Sequence, residues 1–214
     1  FDAVEMLLGN TADPNAVSST DGTTPLIAAA AAGDIKIVKC LIAHGADRGI
    51  SDSSGLTALD LAKSTGTLDV VGLLQAMEIH SAARVGDVEG LVASLEQGIS
   101  ADAVDLKTGC SPLVLAANRG RIDICRALLE RGASPQGAGP IGAVVIAARR
   151  GWERVLDLLL TAAGDANQTV GGTNGMTALM VAMLSKNPSA VVQLLLRKKA
   201  SVVSVTRGGK TVLQ

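Results

Sequence analysis

Three glycines, Gly137, Gly139 and Gly142, spell G-x-G-x-x-G ahead of a helix-forming run at residues 143–150. That pattern can cradle a dinucleotide pyrophosphate, provided that a buried strand leads directly into the glycines. Here the preceding residues are Arg131, Gly132, Ala133, Ser134, Pro135 and Gln136, which make a turn and not a strand. A second candidate is Gly209-Lys210-Thr211, which resembles the end of a phosphate-binding loop. The full pattern needs a glycine five residues before Gly209, and that position is Ser204. Neither motif supports nucleotide chemistry.

The nucleophiles and ligands are equally sparse. His44 and His80 are the only histidines, and no Ser, Cys or carboxylate constellation accompanies them. Cys40, Cys110 and Cys125 form an odd set without metal-type spacing, so they read as buried reduced thiols. No apolar run approaches the roughly 18–20 residues of a membrane span. The expectation is a chain with no catalytic residues, cofactor, metal, small-molecule substrate or membrane insertion, in cytosol or nucleus. Trp152, the lone tryptophan, follows Gly151 and reads as packing at a helix turn, with an exposed binding anchor as the alternative.

The elements that must position these residues announce themselves by repetition. Seven anchors recur: Thr24-Pro25-Leu26, Thr57-Ala58-Leu59, Met77-Glu78-Ile79, Ser111-Pro112-Leu113, Gly142-Ala143-Val144, Thr177-Ala178-Leu179 and Thr211-Val212-Leu213. Their spacings are 33, 20, 34, 31, 35 and 34 residues. Five residues into each unit stands an alanine (Ala29, Ala62, Ala82, Ala116, Ala147, Ala182), small enough to let neighbouring helices approach. Nine residues in comes Gly33, Gly66, Gly86, Gly120 or Gly151, suited to the positive φ that ends one helix and starts the next. Lys186 takes this place in the sixth unit, followed by Asn187-Pro188, so that turn must be built differently. Second helices follow as apolar stripes such as Ile124-Cys125-Leu128-Leu129 and Val155-Leu156-Leu159-Leu160.

This combination of period, Thr-Pro-Leu, alanine and glycine turn resembles the ankyrin repeat family over the whole chain. The resemblance implies an all-α solenoid of helix-turn-helix units with projecting turns, each unit burying its apolar face against its neighbours. His80 alone keeps the histidine of the family's Thr-Pro-Leu-His pattern, where it is expected to bridge backbone groups at a helix start. Both ends break inside a repeat, which suggests a portion of a longer protein. The expected organisation is residues 1–76 as amino-terminal repeats and residues 77–214 as carboxy-terminal repeats, stacked as one solenoid with a shortened junction near residue 76.

That junction arises because the interval from Thr57 to Met77 falls about 13 residues short of the period. A tight helix–helix turn is favoured there over a fused helix, because consecutive helices in such a stack are already antiparallel. Either solution deletes one projecting turn. The fifth unit lacks the anchor threonine and should have a compact turn at residues 135–140. The sixth, with Gly171-Gly172-Thr173-Asn174-Gly175, should have a long one.

Charge is the sharpest functional clue. Residues 1–107 hold 15 Asp/Glu against 6 Lys/Arg, a net of −9, whereas residues 108–214 hold 5 against 13, a net of +8. In the family resembled, the two residues before the first-helix glycine face the concave binding groove. Here they are Ala31-Ala32, Ser64-Thr65, Arg84-Val85, Asn118-Arg119 and Arg149-Arg150. Projecting turns add Lys107, Arg207 and Lys210, while the amino-terminal turns carry Asp21 and Asp52. The resemblance thus implies a non-catalytic protein–protein interaction module. Its basic groove, formed by Arg84, Lys107, Arg119, Arg149, Arg150, Arg207 and Lys210, would take an acidic or phosphorylated partner segment by bidentate pairing. Nucleic acid is disfavoured, since no aromatic residues interleave with the arginines. Four alternatives stand beside this reading: a solvated surface whose charges only keep the protein soluble, a regulatory arm of an enzyme or channel whose functional domain lies elsewhere, a pure scaffold, and head-to-tail association of the two halves or contact with another part of the same chain.

Overall fold

The computed structural model describes residues 1–105, 108–170, 175–185 and 188–203, and these contain twelve α-helices and only isolated β-bridges. The chain divides into two compact units, Phe1–Gln75 and Ala76–Gln214.

In the first unit, α1 (Asp2–Gly9), α2 (Pro25–Ala32), α3 (Ile35–Ala43) and α4 (Ala58–Thr65) precede the start of α5 (Leu68–Val85). The starts of α2, α3 and α4 are chemically marked. The Thr24 Oγ1 accepts the Ile27 N–H at 3.3 Å, and Asp34 Oδ1 accepts those of Lys36 and Ile37 at 3.1 and 3.0 Å. Thr57 and Asp60 satisfy each other's backbone N–H groups in a reciprocal capping box. First helices pack side by side, α2 on α4, while α1 lies against α3. Leu26, Ile27, Ala30, Val38, Leu41, Ala58, Ala62, Val70 and Leu74 form the buried interior. Each fully buried Leu or Val there contributes roughly 1.5–3 kcal/mol, which no lone repeat could accumulate in sufficient number.

The second unit continues with α6 (Val88–Glu96), α7 (Pro112–Arg119), α8 (Ile122–Glu130), α9 (Ala143–Arg150), α10 (Glu153–Thr161), α11 (Ala178–Ala182) and α12 (Pro188–Arg197). Among first helices α9 lies between α7 and α11; among second helices α8 lies between α6 and α10, and α10 also meets α12. A single buried cluster runs through all of these layers, from Ile79 and Leu91 to Leu195 and Ala200. The repeated alanines sit where expected: Ala116, Ala147 and Ala182 are fully buried at the contacts between first helices. Gly33, Gly66, Gly86, Gly120 and Gly151 all adopt positive φ, between 70° and 93°, in the turn that follows a first helix.

The tight turn favoured near residue 76 does not form. Residues 68–85 are one 18-residue helix, so Met77-Glu78-Ile79 lies inside α5 and opens nothing. The local run Gln75-Ala76-Met77-Glu78 consists of strong helix formers, with neither glycine nor proline to stop propagation. His80 is therefore not at a helix start. It is buried within α5, its Nε2 donating to the Ala103 carbonyl at 2.8 Å while Nδ1 has no partner among the described residues.

Candidate interaction surface

Two first helices of the second unit, α7 and α9, end in cations. α7, α9 and α11 contain only three charged residues, Arg119, Arg149 and Arg150, all of one sign and all at helix ends. Each of the three is exposed. Among the described residues none of them forms an ion pair. The Arg150 Nε donates to Asn118 Oδ1 at 2.9 Å, linking the end of α9 to that of α7. Carboxylates lie elsewhere. Second helices α8 and α10 mix both signs, and the pairs Arg131–Glu96 (3.6 Å) and Lys198–Asp157 (3.3 Å) tie neighbouring second-helix layers. A cleft lined by Glu153, Arg154, Asp157, Leu194, Arg197 and Lys198 belongs to this mixed surface and not to the arginine row.

Arg84, at the end of α5, is placed differently. Its guanidinium meets the buried Asp105 at 3.1 Å, so part of its donor fork is already engaged. Asp105 organises the base of the adjoining turn: its Oδ1 accepts the Thr108 N–H and Oγ1 at 2.7 and 2.8 Å. Burial pushes this carboxyl up, but the Thr108 hydrogen bonds and the nearby His80 and Arg84 outweigh it and hold Asp105 below its ordinary range. Spacing alone could not reveal this pair, whose members are 21 residues apart. Lys107, Arg207 and Lys210 lie outside the described residues, as do most of the sixth unit's glycine-rich turn, Lys186 and the Gly209-Lys210-Thr211 motif.

The aspartates of the first unit's projecting turns are occupied locally. Asp52 Oδ1 accepts the Ser54 and Leu56 N–H groups at 2.8 and 2.9 Å. Asp21 Oδ1 accepts that of Thr23 at 3.1 Å, and hydrogen bonds from Ser18 and Thr23 hold its carboxyl low. The helix-end positions Ala31, Ala32, Ser64 and Thr65 carry no charge, and Ser64 and Thr65 donate back to the Leu61 carbonyl. This is the neutral counterpart of the arginine row.

Glycines 137, 139 and 142 build a turn, as their context predicts, and the site where a phosphate would bind is already filled. Gln168 Oε1 accepts the Val144 and Val145 N–H groups at 3.1 and 3.3 Å, while its Nε2 donates to the Gln136 carbonyl. Gln168 thereby caps α9 from the next repeat, replacing the threonine missing from the fifth unit. Gly142 is needed because a side chain there would enter the space of the Gln168 amide. Among the cysteines, Cys40 and Cys125 are buried, but Cys110 is only half-buried, contrary to expectation, because it sits in the turn packed by Gly139. Burial pushes the Cys125 thiol up to about 12, far from a nucleophilic thiolate at neutral pH. Among the described residues no cluster of His, Cys, Asp or Glu could hold a metal ion, and no helix is long and apolar enough to cross a membrane.

Three curated proteins are similar to this chain. An ankyrin repeat protein of fowlpox virus (strain NVSL) is 30% identical over 146 residues, which is 62% of this chain and 33% of that protein. The ankyrin repeat and KH domain-containing protein mask-1 of Caenorhabditis elegans is 35% identical over 130 residues, 54% of this chain and 5% of the relative. The ankyrin repeat and SAM domain-containing protein 6 of Danio rerio is 26% identical over 143 residues, 60% and 19% respectively. The chain thus spans a third or less of the length of these relatives. A model of three tandem ankyrin repeats matches residues 1–80, and a single-repeat model matches residues 108–138 and 174–207. Ankyrin repeats are protein–protein interaction modules, generally without catalytic activity. With glycine turns, buried alanines and paired helices in the same register, the chain belongs to the ankyrin repeat family.

Proposed function

We propose that the second unit binds an acidic or phosphorylated protein segment along the ends of its first helices. The observation that carries this reading is the segregation of charge: three exposed arginines, no carboxylate on α7, α9 or α11, and no ion pair to neutralise them among the described residues. Guanidinium forks pair carboxylate or phosphate bidentately, and helices fixed by a packed core present them at little ordering cost. Arg84 extends the row only in part, because Asp105 competes for it. Lys107, Arg207 and Lys210 belong to the same proposal through their places in the repeat register. Cytosol or nucleus is the matching compartment for reduced thiols and intracellular acidic partners.

The test is a titration of the chain with a short glutamate-rich peptide and its phosphoserine counterpart, by calorimetry. Reversal of Arg119, Arg149 and Arg150 to Glu should weaken both at least about tenfold, and added salt should weaken the wild type. Reversal of Arg126 and Arg154, exposed on second helices, should change affinity less than about twofold. Equal affinity for the wild type and the triple reversal would remove the proposal.

A further inference from the structure

The only tryptophan of the chain stands beside the arginine row. Trp152 follows Arg150 by two residues, across the positive-φ Gly151, and occupies the N-cap of α10. Its fused ring lies against Gly120: a Cβ at that glycine would stand 2.9 Å from Cδ2 and Cε2 and 3.3 Å from Cζ2. Gly120 in turn directly follows Arg119, and Asn118, two residues before it, receives the Arg150 hydrogen bond. Neighbouring repeats use the same packing position for other side chains, Thr67 against Gly33 and Arg121 against Gly86. The position does not require an aromatic ring: a threonine fills it at Gly33, and a Cβ at Gly66 would meet nothing within 4 Å.

An indole does more than the turn requires. It is 43% exposed, although nearly every large apolar side chain of the adjoining α7 and α9 is buried. It is also held in place from beneath, so little freedom remains to be lost when a partner covers it. A fixed, half-exposed tryptophan beside arginines that form no ion pair among the described residues has the composition of the few interface residues that carry most binding energy. We infer that Trp152, Arg119, Arg149 and Arg150 form one recognition surface for an acidic peptide segment that carries an apolar side chain. The apolar group covers the indole while neighbouring carboxylates pair with the guanidinium groups. Covering the ring also excludes water from beside those charges, which strengthens their pairing. The inference rests on the basic-groove reading and adds to it the requirement for an apolar anchor.

The sequence contains one tryptophan and no tyrosine, so indole emission reports this spot alone. The experiment compares two glutamate-rich peptides, one with a central leucine and one with serine in its place, by calorimetry and by tryptophan emission with acrylamide quenching. The leucine peptide should bind about tenfold more tightly, blue-shift the emission and protect it from the quencher. Trp152→Ala should bring the leucine peptide to the level of the serine peptide, while Trp152→Phe should keep most of the difference. Circular dichroism checks the helical content of both variants, and the phenylalanine variant decides the matter if alanine unfolds the turn. Equal affinity for the two peptides with unmoved emission overturns the anchor and leaves the basic groove standing. Absence of binding by either peptide overturns both.

Discussion

The two units of this chain follow one repeat grammar and spend their surfaces in opposite ways. In residues 1–75 the helix-end positions are Ala31, Ala32, Ser64 and Thr65, and the nearby acidic groups Asp21, Asp52 and Asp60 are bound to their own backbone. Beyond residue 75 the equivalent positions include Arg119, Arg149 and Arg150, which bind no carboxylate among the described residues. The difference shows that these positions are not needed to hold a repeat together. What both units share is the small residue inside and the left-handed glycine at the turn. What differs is free to answer a partner.

The sharpest way to break this comparison is through the turn glycines. Gly66 in the first unit and Gly120 in the second have nearly the same φ, 73° and 70°. A methyl group at Gly66 meets nothing within 4 Å, whereas one at Gly120 meets the Trp152 ring. Gly66→Ala should therefore cost about 1 kcal/mol, the left-handed penalty alone. Gly120→Ala should cost roughly 2–4 kcal/mol, because the ring must also move. Denaturant midpoints read both, and tryptophan emission should change only for Gly120→Ala. Equal losses would mean that the indole is not bedded on the glycine, and the two turns would be alike after all.

Helix capping sharpens the comparison at lower energy. Thr57 caps α4 from within its own repeat, whereas α9 depends on Gln168, 24 residues away. Thr57→Ala should cost about 1 kcal/mol, and Gln168→Ala about 1–2 kcal/mol, because two helix N–H groups and an inter-repeat bridge to Gln136 are lost together. Hydrogen exchange gives the local readout: Val144 and Val145 amides should lose protection in the glutamine variant and keep it in the threonine variant. Unchanged protection would show that the remote cap contributes nothing.

How far the fold could be read from residues follows from the same contrast. Alanines and glycines at fixed offsets are demands of local geometry, so the register they imply is the register observed. The fused helix α5 is legible in the helix-forming run Gln75-Ala76-Met77-Glu78, a local signal that wins over the antiparallel turn expected between consecutive repeat helices. The family models match residues 1–80, 108–138 and 174–207, and so pass over much of the α5–α6 repeat and the fifth repeat capped by Gln168. Those are the places where a remote side chain or a missing turn replaces the usual grammar. The helix-end places of Arg119, Arg149 and Arg150 are readable from register. The engagement of Arg84 by Asp105, the seat of Trp152 and the Gln168 cap are not, because each joins residues from different repeats.

The smallest expected effect is in acid, and it again sets one unit against the other. Asp60 is held below its ordinary range by its hydrogen bonds to Thr57. Asp105 is held low despite burial, by Thr108 and then by His80 and Arg84. Both carboxyls have folded values beneath the ordinary 3.8, so the unfolded chain binds protons first as pH falls. Their contribution to stability is fully present above about pH 4 and is lost as pH drops through the folded values. Asp105→Asn and Asp60→Asn should each be less stable than wild type at pH 7 and should lose less on going from pH 4 to pH 2. Only Asp105→Asn should also tighten the glutamate-rich peptide, by about twofold at physiological salt, because it releases Arg84 to the exposed row. If both variants leave peptide affinity unchanged, Arg84 stands apart from the surface that Arg119, Arg149 and Arg150 present. The boundary between the neutral and the cationic helix ends would then fall after α5, at the first repeat whose helix-end arginine has no carboxylate partner among the described residues.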